Sequence, residues 1–473
     1  MTQLVTLDYI VIILFLGTMV VMGMALSRRV KSSKSFYTAN NSIGMFAMLA
    51  TACATMVGGS SMIGRAGLGF TSGIECLNTV FAYMAGMFIF STFAGKIYDM
   101  GIRHDLHSIP ALLEYRFGKP SKLVVSVMIV VAMTGGVAAQ ISATATMIRL
   151  LGNDIGISYE MGAVISTLVF MLYTSSSGLY AVVYTDMIQF IILIIGIYTF
   201  IPLAGFHALG GIGNFVAHID PAYVKPVLNG HIISDILGFL IFSIASADMW
   251  QRAFSAKNRA TAGRGMALGT VAYFVCMVLV FLMALIARQL IPNVKELYGS
   301  TDAVIPALAV RLLPSGILGL CIAGILSVTM SSADSCLLAA SQAVADDIYS
   351  TLRSGEDCRR LLLVSRIATV VISIFALLSA LYMRSAYDII SKAFSVYSTS
   401  AGACVFGALF WRKQTSQGTI ASLLGGLLTC IIWNLMGSPF GIGATIPGVA
   451  VSALLLVTVS LATCQKPAPD EAA

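Results

Sequence analysis

Ala54-Thr55-Met56-Val57-Gly58-Gly59-Ser60-Ser61 interrupts an apolar run that extends from about residue 44 to residue 70. Glycine and small hydroxyl residues are poor helix formers, and the run on either side is a good one, so the pattern predicts a helix broken near its middle. Backbone released from helical hydrogen bonds inside a bilayer must be satisfied by other protein, an ion or a cavity; a broken span therefore lines a site. Small residues also let membrane helices approach closely, and this segment alone leaves both readings open.

Outward from that segment, the whole chain reads as a membrane protein. Of its 473 residues 58% are hydrophobic and only 10% charged, against roughly a quarter charged in soluble domains. A mean hydropathy of +0.90 excludes a disordered chain. About 20 apolar residues cross a hydrocarbon core, and thirteen such segments are present, near 7–27, 44–70, 74–98, 122–150, 158–178, 184–205, 231–251, 265–291, 314–345, 361–383, 387–411, 417–436 and 445–464. The first has no basic residue before it and is followed by Arg28, Arg29, Lys31 and Lys34, which predicts a retained span with an external N-terminus. Counted on alternate sides, the 28 Lys and Arg divide into 20 inside, 6 outside and 2, Arg65 and Lys392, within spans. That is the positive-inside pattern, and it puts the C-terminal tail in the cytoplasm. The net charge of +7 is spread between apolar runs rather than gathered into a nucleic-acid-binding patch. Nine cysteines without CxxC spacing offer neither a zinc site nor a disulfide framework.

The ninth segment carries a second polar stretch, Val328-Thr329-Met330-Ser331-Ser332-Ala333-Asp334-Ser335. Ser331, Asp334 and Ser335 stand at i, i+3 and i+4 and share a helix face. An all-oxygen cluster suits a hard cation, although Ser and Thr also bond back to their own helix. Asp186 begins the sixth segment from the inner side, at a depth similar to that of Asp334, and the two carboxylates are expected to converge on a cation or a proton. Asp186 also fits a plain helix N-terminal role. Asp248 and Arg252, at i and i+4, predict an ion pair at the membrane edge. Arg65 and Lys392 either snorkel to the outer face or receive a carboxylate in a vestibule. Gln140, alone on an apolar span, is either a solute hydrogen-bonding group or a contact between helices.

Four groups of residues together resemble the sodium/solute symporter family over nearly the whole chain. They are Ser60-Ser61-Met62-Ile63-Gly64 with Gly67, Gly69 and Gly73; Gly178-Leu179-Tyr180-Ala181-Val182 with Tyr184-Thr185-Asp186 and Gln189; Trp250-Gln251-Arg252; and Met330 to Ser335 running to Asp347-Ile348-Tyr349. The likeness is spread over the proline-, pantothenate- and choline-transporting branches. It implies an all-α polytopic protein of the LeuT type: a leading helix (1–43), five-plus-five inverted repeats (44–205 and 231–411) joined by an external loop (206–230), and two trailing helices with a cytoplasmic tail (412–473). It carries a principal sodium site over to backbone oxygens of Ala54, Val57 and Val328 and the hydroxyls of Ser331 and Ser332. A second sodium site is implied at Asp186, Asp334 and Ser335. Solute-site positions are Met56, Gly58, Ser61, Arg65, Gln140, Ser246 and Lys392; Met56 and Ser246 stand where choline carriers place aromatic residues, which argues against choline.

The expected function is sodium-coupled uptake of a small polar organic solute by alternating access, with a carboxylate-bearing amino acid or organic acid in view. Proton coupling through Asp186 and Asp334 is the rival within transport, and a transporter-like sensor is the rival outside it. No enzyme motif stands in the spans. The implied partners are sodium, a small-molecule solute and membrane lipid, without nucleic acid or an obligate protein partner, in the plasma (inner) membrane.

Overall fold

The computed structural model describes residues 4–27, 37–151, 156–176, 178–226, 229–353 and 358–464. The basic cluster Arg28 to Lys34 and the tail Gln465 to Ala473 lie outside the described residues. Helix α1 (Thr6–Ser27) leads the chain. The second expected segment is divided into α2 (Met45–Met56) and α3 (Arg65–Ser72), joined through a π-helical turn at Ser60–Gly64. After them come α4 (Asn78–His104), α5 (Lys119–Leu151), α6 (Tyr159–Ser176) and α7 (Leu179–Ala208). The seventh segment is also divided, into α8 (Gly230–Ala245) and α9 (Ala247–Ser255). The chain continues with α10 (Met266–Leu290), α11 (Ile317–Gln342), α12 (Cys358–Met383), α13 (Ala386–Phe410), α14 (Ser416–Leu435) and α15 (Thr445–Thr463). Among the described residues eleven helical stretches are long and apolar enough to cross a membrane, and α2 and Tyr159–Leu172 are shorter apolar helices.

Burial separates the inner helices from the outer ones. α11 is enclosed along most of its length, whereas α1 exposes Ile10, Ile13 and Leu14 and α12 exposes Ile367, Ile374 and Phe375. Apolar side chains exposed in such rows fit a surface that faces lipid. The polar stretch Val328 to Ser335 does not break α11, which is helical throughout.

Three sets of contacts fix the broken helices and the unbroken α11 beside them. At the inner side, Ile43 N–H donates to Ser255 O at 3.2 Å and Lys257 N–H to Ile43 O at 2.9 Å, tying the entry of α2 to the end of α9. At the outer side, a Cβ on Gly67 of α3 would lie 3.0 Å from Asp302 Oδ1 and 3.0 Å from Thr301 O, so only glycine lets α3 come this close. Asp302, which is buried, also accepts the Ala386 N–H at the start of α13. That burial pushes its carboxyl up to about 6, with the Ala386 N–H opposing and Asp388 adding to the rise. Finally Asp8 of α1 accepts the N–H groups of Gly316 and Gly319 at 2.7 and 2.8 Å, an anion placed on the otherwise unsatisfied N-terminus of α11.

Candidate ion and solute site

The helical ladder of α2 ends with Val57 N–H bonded to Cys53 O at 2.9 Å and resumes with Met62 N–H bonded to Gly58 O at 2.8 Å. The carbonyls of Ala54, Thr55, Met56 and Val57 therefore leave the ladder. Gly59 N–H is taken by Gln140 Oε1 at 2.6 Å, which settles one of the groups that the break releases. The segment is both broken and closely packed, since a Cβ on Gly59 would stand 2.5 Å from Thr329 Cγ2 and 2.8 Å from Ala143 Cβ. The break opens precious space for backbone oxygens while the glycines let α2, α5 and α11 meet.

The buried hydroxyls of α11 divide into two groups. Ser327 and Thr329 donate to their own helix one turn back, to Ala323 O and to Leu326 O, and Ser335 donates to Ser331 O. Ser331 and Ser332 reach across instead. Ser331 donates to Asp186 Oδ1 at 2.6 Å, and Ser332 donates to the released carbonyl of Thr55 at 3.0 Å. Each hydroxyl spends its proton on a neighbour and keeps lone pairs for a cation. The oxygens here, the carbonyls released at the 54–57 turn with the Ser332 hydroxyl on one of them and the Ser331 hydroxyl on Asp186, are all hard and fit sodium chemically.

Arg252 departs from the expected pairing with Asp248. Its guanidinium donates to the backbone O of Asp248 at 3.2 Å, and its Nη2 pairs with Asp186 Oδ2 at 3.3 Å. The reason is reach: α9 starts beside the break, so a long side chain one turn on extends back between α2, α7 and α11. There it also meets Thr51, Thr55 and Ser335, the last at 2.7 Å. Both members of the pair are fully buried. Asp334, expected to share a site with Asp186, accepts a hydrogen bond from Thr174, and its Oδ2 has no hydrogen-bond partner among the described residues.

A cavity of about 50 Å³ adjoins this region. Five of the seven positions expected to contact solute line it, namely Met56, Gly58, Ser61, Arg65 and Gln140, together with Thr55 and Ser332 of the ion region. Ser246 does not line it: its hydroxyl donates to Asp248, which does. Lys392 is elsewhere, exposed in an outer hollow beside Val131, Ile367 and Phe375, which fits snorkelling at the lipid face. The sequence reading missed Asp248 and the rings of Tyr83, Phe239, Phe242, Tyr273 and Phe394 on the cavity wall. The available signal was Ala245-Ser246-Ala247-Asp248, a small polar stretch like the one in α2–α3. In the structure Ser246 is extended there, and the freed carbonyls of Ile244 and Ala245 accept from Trp250 Nε1 and the Tyr397 hydroxyl.

Two broken helices that both line one cavity, with oxygen ligands at one break, are the arrangement of a membrane transporter of the LeuT type. The family model of the sodium:solute symporter family matches residues 36–426. The chain belongs to that family, and it is a multi-pass, sodium-coupled solute transporter rather than an enzyme. It is 25% identical to the sodium/pantothenate symporter of Haemophilus influenzae over 88% of each chain. It is 28% identical to the high-affinity proline transporter PutP of Bacillus subtilis, over 75% of this chain and 76% of that one. In fold it is similar to a Na+-coupled sialic acid symporter in a substrate-bound outward-open state, with a TM-score of 0.82, 18% identity, and coverage of 97% and 98%.

Proposed function

We propose that the chain takes up a small carboxylate-bearing solute together with one sodium ion, which is held by the carbonyls of Ala54, Val57 and Val328 and the hydroxyls of Ser331 and Ser332. The observation that carries this is that both serines turn away from their own helix, Ser332 onto the Thr55 carbonyl at the α2–α3 break and Ser331 onto Asp186. Thr55 and Ser332 belong to both the ion region and the cavity wall, so an ion drawn to the break also shapes the solute cavity, which is what coupling requires. Arg65, buried on that wall, supplies the positive charge for a carboxylate. Arg252 serves as a fixed cation for Asp186 and Ser335, the place of the implied second sodium. Residues 44–205 and 231–411 act as the two repeats that rock about the breaks, with the N-terminus outside the cell membrane.

A second reading, proton coupling, is favoured by Asp334 Oδ2, a buried carboxyl oxygen without a partner among the described residues. Intramembrane carboxyls of this kind carry protons in other settings. Uptake of labelled L-proline, pantothenate and L-lactate into proteoliposomes separates the two. An inward sodium gradient at equal pH on both sides should drive accumulation of a solute. Accumulation driven by an inward proton gradient without sodium would favour Asp334 as the coupling group.

A further inference from the structure

Two buried side chains of opposite charge face the same cavity and do not meet each other. Arg65 is 3% exposed and Asp248 5% exposed, and both line the wall. Arg65 Nη1 donates to Thr79 at 2.8 Å and its guanidinium lies over the Phe239 ring at 5.0 Å, while Nε has no hydrogen-bond partner among the described residues. No carboxylate of the described residues is within ion-pair distance of Arg65. The Asp248 carboxylate receives the Ser246 hydroxyl, and no basic group of the described residues stands within ion-pair distance of it either. Arg252, the nearest cation in sequence, is committed to Asp186.

Burying one unpaired charge is costly, and burying two of opposite sign with a cavity between them is costlier still unless something bridges them. A molecule carrying both charges settles both walls at once. A solute with a single carboxylate would answer Arg65 and leave Asp248 bare; an amine would do the reverse. The cavity volume of about 50 Å³ has room for only a few water-sized groups, so the bridging molecule is compact. Tyr83, Phe242 and Phe394 on the same wall offer apolar ring surface to its carbon body.

We propose that this cavity binds a small zwitterion, its carboxylate on Arg65 and its protonated amine on Asp248, so that Asp248 sets the specificity for the amine. The proposal rests on the reading of this cavity as the solute site of a sodium-coupled carrier. The test is thermal stabilisation of the purified full chain in sodium chloride, using glycine, L-alanine, L-serine and L-proline as zwitterions and propionate and n-propylamine as single-charge analogues. At least one zwitterion should stabilise at a concentration about tenfold or more below either analogue. Asp248→Asn should raise the concentration needed for that zwitterion about tenfold or more while leaving the weak propionate response in place, and Arg65→Gln should weaken both. Propionate acting as well as every zwitterion, no response to any zwitterion, or an unchanged zwitterion midpoint in an Asp248→Asn protein that sodium still stabilises would each overturn the proposal. A parent protein that sodium alone leaves unstabilised, in the face of a zwitterion response, would instead count against the sodium reading and leave the zwitterion site standing.

Discussion

Asp186 and Arg252 show how much a single buried pair constrains the site. The guanidinium has a hydrogen bond or ion pair to each of Thr51, Thr55, Asp186 and Ser335, and both charged groups are enclosed. Removing one partner of such a pair leaves an uncompensated charge, a cost of about 3–5 kcal/mol, whereas removing both is far milder. Asp186→Asn and Arg252→Gln should each lower the thermal midpoint and folded yield sharply, and the double variant should recover much of the loss. A stable Asp186→Asn protein that transports fewer sodium ions per solute would show instead that Asp186 is an ion ligand. At this scale the sequence was legible in kind and illegible in partner. Ser331, Ser332, Arg65 and Gln140 could be singled out because polar groups in apolar spans are few. Arg252 was assigned to Asp248 because i,i+4 spacing is visible along a helix, while its reach to Asp186 depends on how α7, α9 and α11 pack.

The broken elements were legible to different degrees. The α2–α3 break could be read from the stretch Ala54 to Ser61, six of whose eight residues are small or hydroxyl-bearing, and in the structure it leaves carbonyls outside the ladder. The break between α8 and α9 rests on a shorter stretch and is closed by Trp250 and Tyr397, whose hydrogen bonds come from positions that a linear reading does not connect. The polar stretch of α11 reads as the second interruption but stays helical, and the hydroxyls of Ser327, Thr329 and Ser335 bond back to carbonyls of that same helix.

Asp302 makes the outer packing of α3 sensitive to pH. Its folded-state value of about 6 lies above the ordinary 3.8, so the folded state favours the protonated acid. Stability from this group is fully present below about pH 4 and is lost as pH rises through about 6. The thermal midpoint of the purified protein should fall over that window, and Asp302→Asn should flatten this part of the profile. An identical pH response in the Asn variant would show that other groups produce it.

For the whole molecule, the general form followed from composition: long apolar segments with basic residues between them implied a polytopic helical protein. What composition could not supply was which helix ends face each other. Asp8 reaching the N-terminus of α11, and Ile43 meeting Ser255, join residues more than two hundred positions apart. Such contacts hold the α2–α3 and α8–α9 breaks beside α11, and the ion and solute regions share Thr55 and Ser332 because of it. Binding of radioactive sodium to the purified protein, in the parent and in Ser331→Ala with Ser332→Ala, tests the central claim most directly. Saturable sodium binding in the parent should be lost, or shifted to much higher sodium concentration, when both hydroxyls are removed from a folded variant. Unchanged sodium affinity in that variant would contradict the account.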